Sequence, residues 1–456
     1  MRTKSGARRD GLMLLLLGSV VFVLLGLALE RASHEPLVDF RVMYYPARCL
    51  VQHGDPYNEA QVLSLYRAMG GDSPSDSEKV RQIATRYIYL PTAFCFTVPF
   101  ALLPWGPAHI LWLTLTLGGL IFASCLVWSL AADYAPLAAG ALVCLFLANS
   151  ELLIISTNAA GIVVSLCAVA VWCFLRNRYV PAGILCLALA LAVKPQDSGL
   201  VWLYLLLAGG VVRKRALQTL LVTAVLSLPA ILWVSHAAPG WAQEWQSNVA
   251  VLSARGGISD PGPTSLGGHG LANVISLQSA LSVLRDDPRF YNPASYLVCA
   301  PLLLAWGFVT LRSRFTQAGA WLALAAVAGL TMLPVYHRQY DAKLLLLAIP
   351  ACILLWAEGG VIGRLAMLVN VVALVFTGDL TWALLLALIK RLPLAPTAFS
   401  GQLLTVLQVF PAPLILLIMS IFYLWVYARR APFSALPGAV FGAVSPPVKL
   451  PTNTRI

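Results

Sequence analysis

Long apolar runs alternate with short polar breaks along the chain, and most of the runs approach the length of a bilayer crossing. A helix needs about 20 apolar residues to span the hydrocarbon core, fewer where neighbours enclose it. The pattern predicts spans at 11–29, 107–131, 136–157, 159–175, 181–194, 198–212, 216–234, 295–311, 316–334, 343–357, 361–378 and 408–427. That is about 12 transmembrane helices, with both termini on the cytoplasmic side. The stretch 91–104 carries Pro91, Pro99 and Pro104 and reads as a re-entrant or shallow segment, and 380–391 is another marginal run. Two long polar stretches, 30–90 and 235–294, fall outside. In the first, Val62, Leu65, Tyr66 and Met69 follow the i, i+3, i+4, i+7 spacing of an amphipathic helix on a membrane surface. The expected fold class is an all-α polytopic membrane protein with external juxtamembrane helices. Residues 1–430 form a single transmembrane domain and 431–456 a cytoplasmic tail.

Composition supports this. Hydrophobic residues make up 59% of the 456 residues and charged residues 11%, against about 25% charged in a soluble domain. The net charge of +12 does not indicate nucleic acid, because the basic residues cluster at the ends of apolar runs. The clusters are Arg2, Lys4, Arg8 and Arg9; Arg176 and Arg178; Arg213, Lys214 and Arg215; Arg312 and Arg314; Arg429 and Arg430. Cytoplasmic loops look like this. Most of the cysteines lie inside apolar runs, where they act as small hydrophobes, and no CxxC or Cys/His metal spacing occurs. The basic start and the run Gly11–Leu29 resemble a signal peptide. The run is long enough to span, however, and Glu30-Arg31 follows without a small-residue cleavage site, so it reads as an uncleaved first helix.

The external stretches hold the candidate chemistry. The segment 30–90 carries eight of the 19 acidic residues. Among them Asp39, in Leu37-Val38-Asp39-Phe40-Arg41, is either a general base at the interface or a first-turn charge of a helix starting nearby. Lys194, before Pro195-Gln196-Asp197, ends a span on the external side. It either snorkels or faces a lipid phosphate, and Gln196 would join it there. Between two spans, Tyr336-His337-Arg338-Gln339-Tyr340-Asp341 is the densest polar cluster: His337 suits orienting or protonating a group and Arg338 suits holding a phosphate, the alternative being a solvated turn with an Arg–Asp pair. Arg86, Tyr87 and Tyr89 fit either a phosphate or acceptor pocket or an aromatic belt. In the second loop, Gly267-Gly268-His269-Gly270 is too irregular for a phosphate fingerprint and reads as a lid or an ordinary loop; Trp241 and Trp245 are interfacial anchors or sugar platforms. Asn158 is expected outside near these groups, and Glu151 falls inside a span, where a carboxylate is costly.

The order of several motifs resembles glycosyltransferase family 87. The matching pieces are Asp39-Phe40 with Tyr44-Tyr45-Pro46-Ala47, Gly54-Asp55-Pro56-Tyr57, Tyr89-Leu90-Pro91, Ala101-Leu102-Leu103-Pro104-Trp105, Lys194-Pro195-Gln196 and Tyr336-His337-Arg338. Asn158 lacks the Gly-Gln that usually precedes it in that family. The resemblance implies a C-type membrane glycosyltransferase fold and a polyprenyl-phosphate-linked sugar donor, as in the mannosyltransferases of the family. It implies a lipid or glycan acceptor, a site between external loops and the membrane, Asp39 as base and His337 as the late external histidine. Tyr44, Tyr89, Gln196, Asn158, His269, Tyr336 and Asp341 are the expected substrate contacts, and Lys194, Arg338 and Arg86 the expected phosphate ligands. No cofactor is expected, and a metal ion is not demanded where cationic side chains can neutralise a phosphate. A plasma (inner) membrane is the expected location, with the site on the periplasmic side. The competing reading is a transporter or flippase of a lipid-linked glycan, which would need charged groups deep in several spans; a receptor-like membrane protein comes third.

Overall fold

The computed structural model describes residues 4–33, 38–70, 78–262, 274–381, 383–384 and 399–431. His269 with its glycine run, the polar turn at 72–77, residues 385–391 and the tail from 432 onward lie outside the described residues. The protein is 80% helical. An isolated β-bridge joins Val274 to Arg338.

Among the described residues six helices are long and apolar enough to cross a membrane: Ser5–Ala32, Trp105–Ala131, Pro136–Ile155, Gly210–Ala237, Pro288–Arg312 and Pro411–Arg430. Their outward faces carry exposed Leu24, Ile110, Leu221, Leu297 and Leu304, as lipid-solvated helices require. The other six expected spans fall on shorter elements. Ala160–Leu175, Val180–Val193, Gln317–Leu330 and Gly360–Phe376 have 16, 14, 14 and 17 residues. At about 1.5 Å per residue each is shorter than a hydrocarbon core of about 30 Å. Gln317–Leu330 is buried from Ala320 onward, so it packs against protein instead of lipid. The runs at 198–212 and 343–357 are interrupted. Pro195–Leu207 stops ahead of Gly209 and Gly210, at φ +79° and +56°, a region that glycine enters without steric cost. Asp341–Ala348 is a 3₁₀ helix that leads into the α-helix Ile349–Glu358. Phe94–Ala101, in the expected re-entrant stretch, is only eight residues long.

Three of the basic clusters meet at one end of the bundle. Arg8 and Arg176 both pair with Asp133, at 3.9 and 2.9 Å, and Arg215 donates to Phe174 O and to the Asn177 side chain. The Lys4–Ala32 helix has 29 residues, so the segment that follows it begins about 40 Å from this end. That segment contains the Val38–Val51 helix and the Glu59–Ala68 helix. The latter buries Val62 and Tyr66 and is capped by the Asn58 side chain accepting from Gln61 N, which matches the amphipathic spacing.

Backbone contact holds the first long helix to the bundle. A Cβ on Gly140 would stand 2.3 Å from Gly11 O, and one on Gly18 would stand 2.7 Å from Cys144 Cα. Small residues allow this close approach where no hydrophobic effect drives helices together. Gly140→Ala is therefore expected to cost about 1–3 kcal/mol by overpacking, read as a lower Tm in detergent. Gly118→Ala, whose Cβ would meet nothing within 4 Å, should not lower it. Equal Tm values for the two variants would show that the helices separate without cost.

Candidate functional site

Asp39 lies in the first turn of the Val38–Val51 helix, where a carboxylate suits the helix dipole. The capping role and a role in a site are compatible, because the side chain also lines a cleft. The helix is held against the start of the Trp105–Ala131 helix by rings. Phe40 lies 4.8 Å from Trp112 and 5.2 Å from Trp105 between centroids, and Tyr44 lies 5.1 Å from Trp105. Such pairs contribute about 0.5–1.5 kcal/mol each beyond their burial. Tyr44 is enclosed in this stack and donates its hydroxyl to Leu103 O at 2.9 Å, so it stands outside the cleft.

The cleft brings together Asp39, Arg86, Tyr89, Asn158, Tyr336 and Arg338 from four separate stretches of chain. Ser259 and Tyr340 complete its polar lining, and Val42, Ile83, Leu252 and Ile258 supply apolar walls. Asp39 is the one carboxylate among these lining residues. Asn158 fixes its orientation. The Asn158 Oδ1 accepts from Ala160 N at 2.8 Å, at the start of the next helix, so the amide nitrogen must point the other way, and it donates to Asp39 Oδ2 at 3.0 Å. Asp39 N donates to Ser156 O at 3.2 Å. Between these two contacts, Thr157 adopts φ +50°, an outlier for a β-branched residue that costs about 1–3 kcal/mol. Trp112 Nε1 donates to Thr157 O at 2.9 Å and holds the peptide there. Burial pushes the Asp39 carboxyl above its ordinary value of 3.8, against the opposing pull of Arg338, Asn158 and Lys194.

Two guanidinium groups face this carboxylate. Arg338 donates through Nη2 to Ile258 O at 2.7 Å and through Nε to the Tyr336 hydroxyl. Arg86 pairs with Glu59 at 2.8 Å, and so is tied within the first polar loop, 30–90. That loop is clamped to the second: Trp245 donates to Ile88 O at 2.8 Å, and Asn248 donates to Tyr57 O at 3.0 Å. Trp245 is thus spent on holding backbone.

Lys194, His337 and Asp341 lie behind the cleft, not on its surface. Together with Asp197 they form a buried quartet, each at most 4% exposed. Lys194 Nζ is 3.0 Å from Asp197 Oδ2 and touches Asp341 Oδ1. His337 Nε2 is 3.2 Å from Asp197 Oδ1, and its Nδ1 is 3.1 Å from Val335 O. Asp341 Oδ2 accepts from Arg338 N at 2.8 Å. The quartet thus fixes the backbone of the arginine whose side chain enters the cleft. Tyr340 separates the two layers, with Lys194 Nζ 5.2 Å from its ring centroid. Burial alone would lower the His337 pKa, but Asp197 and Asp341 outweigh it and raise it above 6.5. Asp197, His337 and Asp341 each offer a ligand atom, all within 4.8 Å of one another, a donor set that suits a divalent cation. The Lys194 ammonium lies among them and already compensates the two carboxylates.

The other candidates are dispersed. Gln196 is exposed at the start of Pro195–Leu207, and Glu151 is buried at the break between Pro136–Leu147 and Leu152–Ile155. Sequence reading missed Asp197, Tyr340 and Ser259 as members of the site. For Asp197 a signal was present: it follows Lys194 by three residues, one helical turn, across a proline helix start.

The description glycosyltransferase family 87 belongs to a family model that matches residues 87–336, more than half of the chain. The match begins after Asp39 and Arg86 and ends before His337 and Arg338, so it bears on class and not on those residues. No curated protein and no solved structure matches the chain.

The His337–Asp197 pair gives stability a specific pH dependence. A raised folded pKa means its contribution is fully present below about 6.5, the ordinary histidine value, and is lost as pH rises through the higher folded value. His337→Gln should lower Tm, and the gap to wild type should shrink on going alkaline. Breaking such a buried pair costs about 3–5 kcal/mol. A gap that does not change with pH would mean that His337 is neutral in the folded protein.

Proposed function

The chain belongs to glycosyltransferase family 87, and on that premise we propose that it transfers mannose or another hexose from a polyprenyl-phosphate donor to a lipid or glycan acceptor. The reaction takes place on the non-cytoplasmic face of a plasma (inner) membrane, in a C-type fold whose shorter helices complete about 12 spans in a single transmembrane domain. The observation that carries this reading is the cleft itself, where one carboxylate faces two guanidinium groups. It lies about 40 Å along the first helix from the basic end, which the positive-inside rule assigns to the cytoplasm.

The chemistry follows from charge. As the acceptor hydroxyl attacks the anomeric carbon, Asp39 takes its proton, and the bond to the phosphate oxygen breaks. Negative charge then gathers on the departing polyprenyl phosphate, where Arg338 and Arg86 stabilise it. A guanidinium presents donors in the planar arrangement that a phosphate accepts. Asn158 holds one Asp39 oxygen and so orients the carboxylate toward the hydroxyl. Among the described residues Asp39 is the one carboxylate in the lining, and a single direct displacement by the acceptor hydroxyl inverts the anomeric centre. Tyr89 and Tyr336 supply ring faces and hydroxyls for the sugar. Lys194, His337 and Asp341 act from behind by holding Arg338 in place and by their field.

Asp39→Asn keeps the shape and removes the base. Transfer from polyprenyl-phosphate mannose should fall about 10²–10⁴-fold, the usual contribution of general base catalysis, with the purified protein still folded and membrane-inserted. In wild type, the rate should rise with pH through an Asp39 pKa above 3.8 and then level off. Full activity in Asp39→Asn would move the base elsewhere. An inactive wild type that moves lipid-linked glycan across vesicles would instead favour the flippase.

A further inference from the structure

A second buried ion pair lies apart from the quartet, and neither the cleft nor the reaction described above uses it. Lys343 Nζ is 2.9 Å from Asp379 Oδ1, with the two side chains 4% and 9% exposed. The lysine also donates to Asn149 O, and Asp379 Oδ2 accepts from Leu152 N at 2.6 Å. Both contacts land on the stretch 149–158, whose far end holds Asp39 through Ser156 O and the Asn158 amide. The stretch is thus pinned at its start by Asp379 and Lys343, and at its far end by Trp112 on Thr157 O and by Ala160 N on Asn158 Oδ1. A strained Thr157 peptide (φ +50°) persists only where its surroundings over-determine it. Released at its start, the stretch can relax toward ordinary φ and carry the Asn158 amide away from the carboxylate.

We propose that the Lys343–Asp379 pair is a positioning device for Asp39, acting through residues 149–158 to keep the Asn158 amide on one carboxylate oxygen. The proposal rests on the reading of Asp39 as the base for its catalytic consequence, but its structural content can be tested without that reading. The same 3₁₀ helix carries Asp341 and Lys343, so one short element ties both the quartet and the Asp39 support. Among the described residues Arg338, Lys194, Tyr89 and Tyr340 act on Asp39 from other segments, and Arg86 lines the same cleft. None of them touches Asp379, and all remain in the variants below. Glu151, also buried in this stretch with its Oε1 unpartnered among the described residues, serves as the control.

The test uses the full-length protein in detergent. Carbodiimide labels a carboxyl in its protonated form, so the pH midpoint of labelling on the Asp39 peptide, read by mass spectrometry, reports its pKa directly. Asp379→Asn should move that midpoint upward by about 1 unit, the equivalent of one charge-assisted hydrogen bond to the carboxylate. The same shift is expected for Asn158→Ala, and the two changes combined should shift it no further. Lys343→Met with Asp379→Leu replaces the pair by apolar groups, an exchange that buried ion pairs often tolerate without loss of stability, and it should give the shift in a folded protein. Glu151→Gln should leave the midpoint in place. With polyprenyl-phosphate mannose as donor, the shifted variants should lose about 10-fold or more in kcat with donor KM unchanged, because they disturb the base and not the phosphate contacts. A wild-type midpoint in both the Asp379→Asn and the double apolar variant overturns the proposal, whatever their activity. Transfer retained in Asp39→Asn, with the midpoint shift still seen, would leave the positioning intact and remove only the base assignment.

Discussion

Charge buried away from water has to be compensated where it lies, and this constraint organises the protein around its cleft. The idealised penalty for moving one ion into a low-dielectric interior is of order 20 kcal/mol, and several kcal/mol remain after relaxation. Lys194, Asp197, His337 and Asp341 meet this cost jointly, each within ion-pair distance of another member. They come from two places far apart in the chain, the break between Val180–Val193 and Pro195–Leu207 and the turn after Gln317–Leu330. Neither place can leave the other without stranding a charge. The break at Pro195 and the irregular turn at 334–340 therefore persist inside a bundle that would otherwise favour continuous helix.

The cleft inherits its geometry from this arrangement. Arg338 is oriented from behind by Asp341 and at its tip by Ile258 O, so few rotamers remain to be lost when an anion arrives. Asp39 is oriented by an amide whose own direction is dictated by a helix start. Opposite charges face each other in the cleft without the close pairing found in the quartet behind it. Arg86 and Arg338 in the outer layer are each held by groups beside the cleft, whereas those in the inner layer are satisfied by one another. That division accounts for the place of Lys194 and His337: a lysine already shared by two carboxylates is committed to them and acts as an anchor for the backbone of Arg338.

The polar breaks are the most legible part of the chain. Runs of apolar residues identify the six long helices, and the density of polar groups at 336–341 marks one wall of the cleft. Asn158 and Arg86 are also readable, as polar groups at the edges of apolar runs. Depth is not legible. Sequence spacing places Lys194 and His337 in the right neighbourhood, but whether a side chain faces a cleft or the layer behind it depends on what packs between, here Tyr340. Helix length is hidden for a similar reason. An apolar run such as 316–334 looks the same whether it contacts lipid or, as Gln317–Leu330 does, other helices. Nor can local pattern reveal that Asp379 reaches back to Leu152, 227 residues earlier in the chain.

The 3₁₀ winding of Asp341–Ala348 connects these observations. In a 3₁₀ helix, successive residues turn by about 120°, so Asp341 and Lys343 leave the same short element in different directions. Asp341 meets Lys194, and Lys343 meets Asp379. An α-helical turn would change that angle and shorten the rise per residue, shifting one of the two ion pairs out of reach. The poorer hydrogen bonding of a long 3₁₀ run is accompanied here by two buried ion pairs made from the one element. The element is covered on all sides, with each of its eight residues buried, so it has no solvent to which a misplaced charge could escape. The cleft therefore takes its shape from an enclosed segment that lies outside its lining, and small changes in that segment reach Arg338 on one side and the support of Asp39 on the other.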